Sequence, residues 1–296
     1  MEGLKRVAAI HDISGVGKCS LSVALPIISA AGVECAVLPT AVLSTHTGGF
    51  ADYTFRDLTG DMLAVAGHWK REGIGFDALY SGYLGSLAQI DIVREIFAMF
   101  RTQKTLVLVD PVMADNGKLY SRFSMDHARE MARLCAHADI IVPNRSEAAF
   151  MLGREYRGGA MTEPETRELL FALGQLGARN IVLTGVCFGD DDLGAACLDR
   201  ETGQMDYVMD KRIAGSYHGS GDVFGSFLMA ALMRGQDIVA ATRLAVDYTC
   251  AAIRLTVAAG TESRMGLCFE PLLAEFGMAL IPLNNNSLPP RPPERR

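Results

Sequence analysis

The chain has 296 residues, 49% hydrophobic and 21% charged, with a formal net charge of -6. That apolar share builds a sizeable core, the acidic balance speaks against nucleic acid or an anionic membrane as partner, and no apolar run reaches the roughly 18 to 20 residues of a membrane span. Seven cysteines lie scattered without a C-x-x-C pair, and the apolar run after MEGLKRV is too short for a signal peptide, so a cytoplasmic protein with reduced thiols is expected.

In chain order, Val7–Ile10, Glu34–Leu38, Ala78–Ser81, Leu106–Val109, Ile140–Val142 and Ile181–Thr184 read as buried strands, apolar on both faces. Helical patterns cover Ser20–Ala31, Ile90–Phe100, Met125–His137 and Pro164–Leu176, the last with a first-turn proline. The alternation predicts right-handed crossovers and a mostly parallel sheet with helices on both faces, a three-layer α/β/α sandwich. Gly194–Asp199 and Gln204–Met209 then read as a hairpin turning at Arg200–Gly203, followed by helices over Val223–Arg234, Ile238–Thr256 and Glu270–Met278. A single domain over 1–283 is expected, with Asn284–Arg296 (NNNSLPPRPPERR) a disordered tail.

The junction before Val223 reads YHGSGDVFGS over Tyr217–Ser226. Gly219 and Gly221 let successive N–H groups of 219–221, Ser220 among them, converge, and the new helix adds its unpaired amides and dipole. Such a concavity suits an anion, and Asp222 in the first turn could accept a hydroxyl proton beside it. The bland alternative is a plain turn with Asp222 capping the helix.

Three more clusters follow strands at their carboxyl ends, where open α/β sheets bind ligands. Asp110-Pro111-Val112-Met113 follows the fourth strand, with Asp115 and Lys118 in the loop behind it, where a solvated Asn-Gly turn is the alternative. Asn144 and Glu147 follow the fifth strand with the spacing of a capping box, or of oxygen groups around a hydrated cation. Thr184 and Gly185 end the sixth strand. Nearer the start, Asp12 and Ser14 lie in the loop His11–Gly17, Thr45, His46 and Thr47 in the cluster Ser44–Phe50, and Tyr83 in Ser81–Gly85. Tyr83 could border a flat ring, with a core aromatic as the alternative.

The set G-S-G-D, D-P-V-M, N-x-x-E, D-x-S-G-x-G and T-H-T-G resembles the ribokinase-like superfamily, and within it the pyridoxal kinases, over roughly residues 5 to 275. The resemblance implies an ATP-dependent kinase acting on a vitamin B6 vitamer with Asp222 as base. It places Gly219, Ser220 and Gly221 at the anion hole. Asp110, Asp115, Asn144, Glu147 and Thr184 fall beside the nucleotide, with Asp110 and Glu147 organising Mg2+. Asp12, Ser14, Thr45, His46, Thr47 and Tyr83 line the acceptor pocket. It further implies a homodimer without a separate β lid. A monovalent-cation requirement is not readable in these residues. Two rivals share the signature: a hydroxymethylpyrimidine kinase, and a protein that binds vitamin B6 without turning it over. A P-loop is excluded, because Asp12 stands at its first glycine and Cys19 at its metal-binding hydroxyl.

Overall fold

The structure, a computed structural model, describes residues 4–280. The expected boundary at 283 and the tail Asn284–Arg296 lie outside the described residues. In chain order the first half runs β1 (Arg6–Val16), α1 (Leu21–Ala30), β2 (Glu34–Thr45), β3 (Phe55–Asp57), α2 (Thr59–Arg71), β4 (Ala78–Ser81), α3 (Leu87–Phe100) and β5 (Leu106–Val109). A small hairpin follows, β6 (Ala114–Asp115) and β7 (Lys118–Leu119), then α4 (Met125–Cys135), β8 (Ile140–Ile141), α5 (Arg145–Met151) and α6 (Glu163–Gly174). The chain continues through β9 (Asn180–Val186), β10 (Asp192–Asp199), β11 (Met205–Lys211), α7 (Ser220–Met233), α8 (Ile238–Ala258) and α9 (Leu273–Leu280).

Nine strands form one sheet in the order β11-β10-β9-β8-β5-β4-β1-β2-β3. From β2 to β9 across the sheet the neighbours are parallel, while β3, β10 and β11 pair antiparallel. The residues of β4 are all buried, as expected for a strand covered on both faces. One core lies under α1, α7, α8 and α9; the other packs α2 to α6 against the opposite face. The α/β/α sandwich is therefore observed. Helix α7 is buried on almost every side, from Val223 through Ala231, because it sits between the sheet, α1 and α8.

The order of strands fixes where a ligand can enter. From β1 the chain steps outward to β2, then returns to β4 on the other side of β1. The connections after β1 and β4 consequently depart to opposite faces and leave a crevice between them, the usual ligand position in such sheets.

Several elements depart from the sequence expectations. β1 and β2 run on to Val16 and Thr45, because Ile13, Ser14 and Val16 pair with Val42, Leu43 and Thr45, and β3 adds to the outer edge. Asp12 and Ser14 thus stand within a strand and not in a loop. This projecting ribbon is continuous with the main sheet and is no separate lid. Helix α2 escaped the sequence pattern because only Met62 and Ala66 are fully buried and two glycines dilute its helix propensity.

Candidate active site

Gly219 opens α7 in the left-handed region, φ 77°. Its missing side chain is required: a Cβ there would stand 2.1 Å from the Lys18 carbonyl oxygen. The connection between β1 and α1 therefore lies directly on the turn that starts α7, where the Ser220 N–H donates to the Tyr217 carbonyl at 3.4 Å. Asp222 follows in the first turn and is half-buried. Burial raises its carboxyl to about 7; the Ser20 N–H opposes this, and the charge of nearby Asp12 adds to it.

Ser20 joins the two acids. Its hydroxyl donates to Asp12 Oδ1 at 2.6 Å while its backbone N–H faces Asp222. The residue holds φ 55° and ψ -127°, a strained conformation costing on the order of 1–3 kcal/mol and kept where surrounding structure demands it. In the sequence Ser20 reads only as the first residue of a helix, and no local signal marks it otherwise. Asp12 itself is buried, and desolvation raises its pKa. Ser14 is buried beside it with no hydrogen-bond partner among the described residues. Tyr83, from the connection after β4, is half-buried against Phe123, ring centroids 5.4 Å apart, and feels the charge of Asp12. The crevice predicted from the strand order is thus lined by Asp12 on one side and Tyr83 on the other.

A second acidic group adjoins the first. Asp110 ends β5 nearly buried; burial, then Glu147, then Asp222 drive its pKa well up. Glu147 is also raised, to about 8, by burial. Its Oε1 accepts from Met113 N–H at 3.0 Å and its Oε2 from Asn144 N–H at 2.8 Å. Asn144 caps α5: Oδ1 accepts from the N–H groups of Ser146 and Glu147, and Nδ2 donates to the Ala114 carbonyl at 2.7 Å. The capping box is therefore real, and it fixes Glu147 opposite Asp110. Thr184 joins this end by a bridge to Asn144. Asp115 is exposed on the β6–β7 hairpin and binds its neighbour Asn116 by both oxygens. The Asn-Gly turn read as its alternative is present, with Asn116 and Gly117 at φ 49° and 74°.

Among the described residues no three His, Cys, Asp or Glu side chains form a metal cage. Two buried carboxylates side by side, one of them without a hydrogen bond to its oxygens, do suit a hydrated hard cation, which needs only one or two protein oxygens. Asn144→Ala removes the cap and the tie to Ala114. The expected result is a stability loss of about 1–2 kcal/mol, read from the urea midpoint; an unchanged midpoint would show the box to be idle.

The T-H-T-G cluster packs differently from expectation. Thr45 closes β2 with its hydroxyl buried and unpartnered among the described residues, and Thr47 is exposed. Both nitrogens of His46 are taken by backbone: Nε2 donates to the Arg264 carbonyl at 2.6 Å, and Nδ1 accepts from Gly48 N–H at 3.0 Å. His46 therefore offers a ligand ring carbon and no polar contact. It ties the connection after β2 to the segment after α8, next to His218, whose ring centroid is 5.4 Å away.

Comparison with known proteins gives consistent results. Residues 24–266 match the phosphomethylpyrimidine kinase family. A crystal structure from Bacteroides thetaiotaomicron, described as a phosphomethylpyrimidine kinase and solved with pyridoxal, is 35% identical; it covers 93% of this chain and 96% of its own, with a TM-score of 0.89. Pyridoxal kinase from Lactobacillus plantarum is 33% identical, covering 94% and 98%, with a TM-score of 0.85. A pyridoxine/pyridoxal/pyridoxamine kinase from Bordetella avium is 26% identical over 291 residues, 94% of each chain.

Proposed function

The chain belongs to the phosphomethylpyrimidine kinase family, and on that footing we propose that it transfers the γ-phosphoryl group of ATP to the 5′-hydroxymethyl oxygen of pyridoxal, pyridoxine or pyridoxamine. The observation that carries this reading is Asp222: a carboxylate at the mouth of α7, raised to about 7, between the acids Asp12 and Asp110. The relatives that bear pyridoxal in their names, or hold it in their crystals, favour that acceptor.

In this reaction the alcohol oxygen forms a bond to the γ-phosphorus as the bond to the ADP oxygen breaks, and the hydroxyl proton passes to Asp222. The N–H groups of 219–221 would hold the charge that develops on the transferring group, Ser220 by leaving its bond to the Tyr217 carbonyl. Asp12, Ser14, Thr45, Thr47 and Tyr83 orient the ring, while Asn144, Asp115 and Thr184 serve the nucleotide end. Asp110 and Glu147 would hold Mg2+ through water, and the cation would neutralise phosphate charge there. Placement and electrostatics supply most of the acceleration in such transfers.

The enzyme so described is a single kinase domain over the described residues 4–280. We read it as cytoplasmic, in keeping with seven unpaired cysteines, and as a homodimer, in keeping with Ile13, Val16 and Val42 exposed on the projecting ribbon.

Kinetics with MgATP and two alcohols, pyridoxal and hydroxymethylpyrimidine, test the reading. The expected result is turnover of pyridoxal with the larger kcat/KM. Its value should rise with pH through about 7 and then level, since a protonated Asp222 cannot accept the proton. Preference for the pyrimidine alcohol would assign the chain to thiamine precursors, and nucleotide binding without turnover of either would leave only a carrier.

A further inference from the structure

Tyr80 and His11 lie wholly inside the protein, and the reaction above uses neither. Both are 0% exposed. The Tyr80 hydroxyl and both ring nitrogens of His11 have no hydrogen-bond partner among the described residues. Their rings meet edge to face at 4.3 Å, and burial keeps the imidazole neutral, its pKa lowered to about 3. An unpaired buried polar group costs roughly 1–3 kcal/mol, so such groups in native proteins call for a cause.

Position supplies one. Tyr80 stands in β4 on the α7 side of the sheet, and its hydroxyl ends against Gly225 of α7. A Cβ on Gly225 would sit 2.4 Å from the hydroxyl oxygen and 3.7 Å from Asp110 Oδ2. Glycine inside a helix is itself unfavourable by about 1 kcal/mol relative to alanine, so two destabilising choices meet at one point. Across that point stands the Asp110 carboxylate, whose oxygens accept no hydrogen bond among the described residues. Ser226 also approaches the phenol oxygen, but its own hydroxyl is donated to the Asp222 carbonyl at 2.6 Å. A donor without an acceptor and an acceptor without a donor share one small space, kept open by a glycine.

We propose that Tyr80 is a positioning residue whose hydroxyl donates to the Asp110 carboxylate in the working enzyme and fixes its orientation toward the phosphate end of the nucleotide. His11 holds the phenol ring edge-on and prevents its rotation. The assignment rests on the phosphoryl-transfer reading of the same site. It also gives the orphaned hydroxyl a partner, reached by a small turn of the Asp110 side chain in the space that Gly225 leaves open.

Tyr80→Phe keeps the ring and removes only the hydroxyl. The resting protein should melt at the same temperature or higher, since an unpaired polar atom is gone. Its kcat should fall roughly 10- to 100-fold, the value of a hydrogen bond to a charged group, with the KM for the alcohol within about twofold of the parent. Gly225→Ala should lower kcat in the parent and do so less in the Tyr80→Phe background, where the crowded oxygen is absent. A lower melting temperature or failure to fold for Tyr80→Phe would make the hydroxyl structural, and an unchanged kcat would make it idle; either overturns the assignment. Equal losses from Gly225→Ala in both backgrounds would also count against it. If the parent enzyme transfers no phosphoryl group, the functional reading fails and takes this assignment with it. If the parent transfers it and Tyr80→Phe does so equally well, only the role of Tyr80 is lost.

Discussion

Asp222→Asn should lower kcat roughly 10²- to 10⁴-fold, the usual contribution of a general base, while nucleotide affinity measured by titration stays within a few-fold. Asparagine keeps the size and the hydrogen-bonding oxygen of the side chain, so the turn that begins α7 and the amides around Gly219 should survive. What disappears is the proton acceptor. The same substitution should also raise the melting temperature at pH 8. Burial raises the Asp222 carboxyl to about 7, so the folded protein binds a proton that the unfolded chain releases near the ordinary aspartate range. The parent is therefore destabilised progressively as the pH rises from about 4 to about 7, and fully above that. The neutral variant escapes this. Its advantage should be largest above pH 7 and shrink toward pH 4. Activity within tenfold of the parent would remove Asp222 from the role of base, whatever the melting data show.

The parts of this site that were legible in the sequence are those in which backbone geometry and chemistry coincide. Gly-Ser-Gly-Asp announces a turn that only glycine can make and a carboxylate one residue beyond it, and the structure places Gly219 at a positive φ for a visible reason. The buried parallel strands were equally plain. β4 and β5 are found over Ala78–Ser81 and Leu106–Val109 as expected, because a run apolar on both faces has few other destinations. Long-range contact was not legible. Nothing local says that Ser20 will join Asp12 to Asp222, or that the His46 ring will be used up by the Arg264 carbonyl, 218 positions away. The strand extension from His11 to Val16 was hidden for a related reason. Its Asp, Ser and Gly read as loop, and only the pairing with β2 makes it a strand. In Asn144 and Glu147 the capping box is the reading observed, and the cap that stiffens α5 also sets the glutamate beside Asp110.

The second large effect is expected from a change that touches no charge. Gly219→Ala adds one methyl group to a residue at φ 77°, a region in which an L side chain is strained by roughly 1–2 kcal/mol. The added Cβ would also lie 2.1 Å from the Lys18 carbonyl oxygen. That neighbour is backbone and cannot swing away, so either the turn before α7 or the connection between β1 and α1 must move. Lys18 is itself held, its N–H donating to the Met265 carbonyl at 3.3 Å and its ammonium paired with Glu270 at 2.8 Å. The yielding part is therefore the turn, and with it the amides proposed to hold the transferring group. Loss of one such donor typically lowers turnover about 10²- to 10³-fold, and displacement of the whole turn should cost at least that. Stability should fall as well, which separates this variant from Asp222→Asn, where stability rises. The two substitutions stand three residues apart on the same turn, yet one acts by removing an acceptor and the other by moving donors. Asp222→Asn should retain the parent's affinity for ADP, and Gly219→Ala should weaken it, measured by calorimetry on both proteins. If Gly219→Ala binds ADP and turns over as the parent does, the amides of this turn do not hold the phosphate.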